Sequence, residues 1–90
     1  MSYVKVKKFD INIDTSDVSQ LHHLVEMSSA YERDMNMDGS FILFFLTLQE
    51  KATRKSIMNE YSSELAKIAA LTWRDASDEF RNKFAEIMKN

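Results

Sequence analysis

The sequence predicts an all-α domain behind an N-terminal extension, and three observations point to it. Ninety residues contain no proline and a single glycine, so little in the chain interrupts helices. After residue 39, three stretches repeat apolar residues at helical spacing. Serine and aspartate stand where two of those stretches begin, as helix-capping residues do. A composition of 44% hydrophobic and 29% charged residues is that of a globular chain. At this length one small domain is expected, with a core in which each large aromatic side chain counts.

The N-terminal part reads as an extended segment followed by a short helix. Val4 and Val6, then Phe9, Ile11 and Ile13, alternate with Lys5, Lys7, Asp10 and Asn12, and the phase changes at Lys8. Period two with β-branched residues predicts a strand-like stretch. Thr15-Ser16-Asp17 is a helix-start signal, after which Val18, Leu21 and Val25 fall on one face, so a helix is expected from about Asp17 to Ser28. Residues 29–38 are charged and lack an apolar period, and Asp38-Gly39 is a turn signal. They read as a linker, dividing an extension (1–38) from a domain (39–90).

The three later helices are better marked. Phe41, Phe44, Phe45, Leu48 and Ala52 follow the i, i+3, i+4, i+7 rule, predicting a first helix from Phe41 to about Met58. Its second half presents Lys51, Arg54 and Lys55. Ser62 is expected to cap a second helix with the stripe Leu65, Ile68, Ala69, Thr72 and Trp73. Ser77, followed by Asp78 and Glu79, is expected to cap a third, lined by Phe80, Phe84, Ile87 and Met88.

Charge and absences bound the function. Residues 1–38 carry four basic and seven acidic side chains, net −3, whereas residues 39–90 carry eight and seven, net +1. Neither part is a strongly basic patch. With no cysteine, a disulfide framework and a thiolate zinc site are excluded, and the adjacent His22 and His23 diverge on a helix, so no metal is expected. The longest apolar run, Phe41–Leu46, falls far short of the roughly 18 residues of a membrane span, so a soluble, intracellular protein without membrane attachment is expected. Nothing resembles a Gly-rich phosphate loop, a cysteine nucleophile or an acid/base carboxylate pair, so neither enzyme activity nor a cofactor is expected.

Four pieces in order then carry a resemblance. Phe41-Ile42-Leu43-Phe44, Ser63-Glu64-Leu65-Ala66-Lys67, Trp73 eight residues after Leu65, and Phe84 eleven residues after Trp73 resemble a high-mobility-group (HMG) box. The likeness spans Gly39–Asn90 and is greatest to the sequence-specific boxes of fungal mating-type regulators and the SRY/SOX group. It implies an L-shaped three-helix fold that binds the DNA minor groove, inserts an apolar wedge and bends the duplex. A nuclear transcription regulator of the mating-type or sex-determination kind, with A/T-rich double-stranded DNA as partner, is the function so implied. Phe41 and Ile42 match the wedge. Ser63 matches the minor-groove contact, Ser62 stands where the family often has Asn and is expected either to make a similar contact or to cap, and Lys51, Arg54 and Lys55 resemble the phosphate-following side of helix one. Phe44, Trp73 and Phe84 match the aromatic core.

The sequence also departs from that pattern. Gly39 and Ser40 stand where such boxes carry Asn and Ala, the Asn being a base contact, and Ala66 replaces a serine. Phe45 and Leu46 replace residues that are frequently basic or polar. The third helix is expected to be shortened at Asn90, without the usual basic tail. These differences support a second reading, a degenerate box that contacts a protein partner and binds DNA weakly or not at all. The extension is expected either to lie against the basic side of helix one or, preferably, to cover core surface.

Overall fold

Alternation in the extension becomes a paired hairpin. In the computed structural model, β1 (Tyr3–Val6) runs antiparallel to β2 (Ile11–Asp14), with Val4 opposite Ile13 and Val6 opposite Ile11. That register puts the four β-branched side chains on one face, where Val6, Ile11 and Ile13 are buried, while Lys5 and Asn12 are exposed on the other. The structure describes residues 3–6, 11–18, 22–55 and 58–89, and the side chains of residues 17, 18, 22 and 58–62 lie outside that description. Lys8, where the phase changes, Phe9 and Leu21 also lie outside it. The fold is mostly helical, as the sequence predicts, with a small sheet that an all-α reading leaves out. Pairing supplies the backbone partners that a lone strand lacks.

The expected helix over residues 17–28 is two helices, and the expected linker is largely helical. A four-residue turn, α1 (Thr15–Val18), follows β2, with the Asp14 carboxylate accepting from the Ser16 amide at 3.0 Å and its hydroxyl at 3.1 Å. The longer α2 (His22–Met35) runs well past Ser28. Its apolar period is hidden because the buried side chain one turn after Leu24 is Ser28, whose hydroxyl donates to the Leu24 carbonyl at 2.7 Å. Met27, Tyr31 and Met35, at i, i+4 and i+8, form a partly exposed row instead. Asn36 then ends the helix in the left-handed region, at φ 53°, and donates its amide to the Glu32 carbonyl at 3.1 Å.

The central element is α3 (Gly39–Arg54). Asp38 caps it, accepting from the Ser40 amide at 3.1 Å and hydroxyl at 2.7 Å, which starts the helix two residues before Phe41. It ends at Arg54 rather than near Met58, because Ala52 is its last buried residue and Thr53, Arg54 and Lys55 face solvent. Ile42, Leu43, Phe44, Leu46, Thr47 and Leu48 are all buried, so α3 is enclosed on several sides. The helix α4 (Met58–Asp75) begins before Ser62, which therefore lies inside it and does not cap it. Met58-Asn59-Glu60-Tyr61 contains no helix-breaking residue to delay the start. The last helix, α5 (Asp78–Lys89), starts where expected, with the Phe80 amide donating to the Ser77 hydroxyl at 3.1 Å.

One core joins these elements. Val6, Ile11 and Ile13 of the hairpin and Leu24 of α2 belong to the same buried cluster as Ile42, Phe44, Leu65, Ala69, Phe80 and Phe84. The residues numbered 1–38 by the turn signal at Asp38-Gly39 thus supply core surface to the rest. α2 and α3 form an antiparallel hairpin. His23 lies near Glu50 at one end, and Glu32 meets Gly39 at the other.

Candidate nucleic-acid interface

The aromatic junction sets the geometry of the candidate site. Phe44 and Phe84 are fully buried and Trp73 is half-buried, with ring centroids 5.3 Å apart for Phe44–Trp73, 5.8 Å for Phe44–Phe84 and 5.7 Å for Trp73–Phe84. Phe80 completes the group, 5.0 Å from Phe84 and 5.8 Å from Phe44. One ring from α3, one from α4 and two from α5 therefore hold the three helices at one point, mostly edge to face. Its neighbours fix the next turn. Arg81 donates from Nη1 to the carbonyls of Trp73, Arg74 and Ala76, and pairs with Asp78 through Nη2.

The Phe41 and Ile42 side chains open from this junction into an apolar groove of about 390 Å³. Phe41 is half-buried and packs its ring edge to face on Trp73, with centroids 6.1 Å apart. Ile42 is only 6% exposed. Phe41, Ile42, Phe45, Leu46 and Gln49 of α3 contribute to the groove, together with Tyr31 and Met35 of α2, Met37 of the connection, and Ala66 and Ala70 of α4. Among the described residues, no charged side chain lines it. Ala66, where the resemblance has a second serine, keeps the α4 side shallow.

The predicted polar residues are distributed unevenly around this groove. Ser63 is exposed, and its i, i+3, i+7 relation to Ala66 and Ala70 puts it on the groove-facing side of α4. The Ser62 side chain lies outside the described residues. Lys51 is half-buried, whereas Arg54 and Lys55 are exposed. At about 100° per residue, Arg54 falls roughly opposite the Phe41, Phe45 and Gln49 row on α3, whereas Lys51 lies on a flank, about 80° from Phe41. Arg54 Nη2 meets Glu50 Oε1 at 3.0 Å, and Glu50 Oε2 lies 3.7 Å from His23 Nε2. The structure thus gathers the two wedge residues and Ser63 about one groove, with Lys51 on a flank of α3 and Arg54 on its far side.

Glu32 is the residue that sequence reading missed. Its Oε2 accepts from the Gly39 amide at 2.9 Å, and a Cβ added at Gly39 would stand 2.5 Å from that oxygen and 3.0 Å from Met88 Cε. A side chain at position 39 would push the flexible ends of Glu32 and Met88 aside. The signal was present in the chain as a lone glycine at the head of an apolar helix, but its partner lay seven residues upstream in the presumed linker.

Among the described residues, no group of His, Cys, Asp and Glu is placed to hold a metal ion, and no helix is long and apolar enough to cross a membrane. Comparison with protein-family models, with curated proteins and with solved structures finds no match to this chain.

Proposed function

We propose that residues 39–89 act as an HMG-box-like DNA-binding unit, with α3, α4 and α5 as the three helices of an L-shaped box. The observation that supports this best is the junction of Phe44, Trp73 and Phe84, one ring from each helix, with Phe41 edge to face on Trp73 and Ile42 next to it along α3. An apolar wedge needs such a rigid base, because unstacking a base step costs a few kcal/mol that contact along the bent duplex must offset. In this reading Phe41 and Ile42 enter the minor groove of A/T-rich DNA and Ser63 donates to base acceptors there. Ser62 is the second candidate for that contact. Lys51, Arg54 and Lys55 follow phosphates. The wider role is that of a nuclear transcription regulator of the mating-type or sex-determination kind.

Fluorescence anisotropy with A/T-rich and G/C-rich duplexes over a salt series tests the proposal, with end-labelled duplexes reporting bending by energy transfer. Affinity at low salt no greater than that of an unrelated acidic protein overturns it.

The groove favours a second reading. Its lining is apolar and uncharged, its floor is one helix, and two further helices and the Met37 connection flank it, as in sites that take an amphipathic partner helix. Under this reading the unit is a degenerate box used for protein contact. Bulk placed at Ala70 would then abolish partner binding and leave any DNA affinity intact.

A further inference from the structure

We infer that α2 is a cap over the DNA-facing end of α3, and that duplex binding requires it to swing off about the connection formed by Asn36, Met37 and Asp38. The inference rests on the DNA reading above and concerns the regulation of that same face. Ile42, the residue meant to enter a base step, is 6% exposed and shares its groove with Tyr31, Met35 and Met37. At 6% exposure Ile42 offers almost no surface to a base pair until side chains around it move aside. Glu32 closes the same end. Its carboxylate fills the space a side chain at position 39 would take, where the resemblance places a base-contacting asparagine, and binds the Gly39 amide at 2.9 Å. Asp38 adds a second carboxylate beside it on Ser40. Both would face incoming phosphates with like charge.

The cap is also built to release. Among the described residues of α2 only Leu24 and Ser28 are fully buried, while the partly exposed row of Met27, Tyr31 and Met35 leaves Met35 57% exposed. The link from α2 to α3 is three residues long and begins at the left-handed Asn36.

A reversible lock on the full-length chain tests this. The sequence has no native cysteine, and the Glu32 side chain meets the Gly39 amide at 2.9 Å, so Glu32→Cys with Gly39→Cys puts one thiol on each side of that contact, to be closed by oxidation and the closure verified by mass. Oxidised and reduced forms are compared for A/T-rich duplex affinity, with circular dichroism checking that both are folded. The cap predicts at least tenfold weaker binding when oxidised, restored by reductant. Equal affinity in both forms overturns the cap and leaves the DNA reading standing, whereas binding in neither form overturns both. A second pair of variants separates the latch from charge alone: Glu32→Ala should tighten binding more than Asp34→Asn and speed amide exchange at Gly39. Equal gains from the two overturn the inference.

Discussion

Arg81 reaches back over the turn between α4 and α5 and donates from Nη1 to the carbonyl oxygen of Trp73 at 3.0 Å. The same nitrogen also meets the carbonyls of Arg74 at 3.1 Å and Ala76 at 2.6 Å, so one guanidinium satisfies the carbonyl end of α4 and sets the α4–α5 angle. Arg81→Ala is expected to cost about 1.5–3 kcal/mol, the range for hydrogen bonds to a charged group. Arg81→Lys should recover only part, since an ammonium is a point charge without the planar fork. Urea titration followed by Trp73 fluorescence checks both, and a loss below about 0.5 kcal/mol would show that the turn holds without the clamp.

Phe84 sits where rings from three helices converge, within 6 Å of Phe44, Trp73 and Phe80. Phe84→Ala should therefore remove about 3–5 kcal/mol, a large fraction of the stability of a chain this size. Phe84→Leu, which keeps most of the volume and loses the edge-to-face contacts, should cost much less. Near-ultraviolet circular dichroism on Trp73 distinguishes the two: the Leu variant keeps a weakened tertiary signal, the Ala variant loses it.

How much of this was legible in the sequence varies from element to element. Phe44 and Phe84 lie in the core as the sequence predicts, and Trp73 packs half-buried against it, because large aromatics at helical spacing have few alternatives to burial. Ser77 was placed correctly because a cap is a local signal, complete within four residues. Ser62 was misplaced for the converse reason. A serine before an apolar stripe carries the same signal whether or not the helix has already begun, and α4 starts at Met58. Residues 29–35 were misread because the buried side chain of that turn is Ser28, satisfied by the Leu24 carbonyl, and its polarity erased the period. Glu32 and Gly39 were out of reach, since each has an ordinary meaning until the fold of α2 back along α3 brings them together.

Ile42 carries both stability and the proposed wedge, so a conservative change is needed to separate the two. Ile42→Val removes one methyl group from a side chain that is 6% exposed and should cost about 0.5–1.5 kcal/mol. The bend it induces in an A/T-rich duplex, read by energy transfer at saturating protein, should shrink, because the wedge is shorter by a carbon. An unchanged bend at saturation would take Ile42 out of the wedge and leave Phe41 alone there.

Arg54 is the most testable of the phosphate candidates because its partner is known. Glu50 Oε1 lies 3.0 Å from Arg54 Nη2, and the pair is an i, i+4 pair on α3. Each phosphate neutralised contributes about 0.9 to the slope of log affinity against log salt on duplex DNA. Arg54→Gln should thus reduce that slope by about 1 and weaken binding alike on A/T-rich and G/C-rich duplexes, since phosphate contacts carry no sequence information. Glu50→Gln should do the opposite. It removes the competing carboxylate, strengthening binding at low salt and steepening the slope. Because Arg54 lies roughly across α3 from Phe41 and Phe45, neither substitution should alter the bend at saturation. A changed bend with an unchanged slope would mean that this side of α3 faces away from the phosphates and acts on the wedge through the helix.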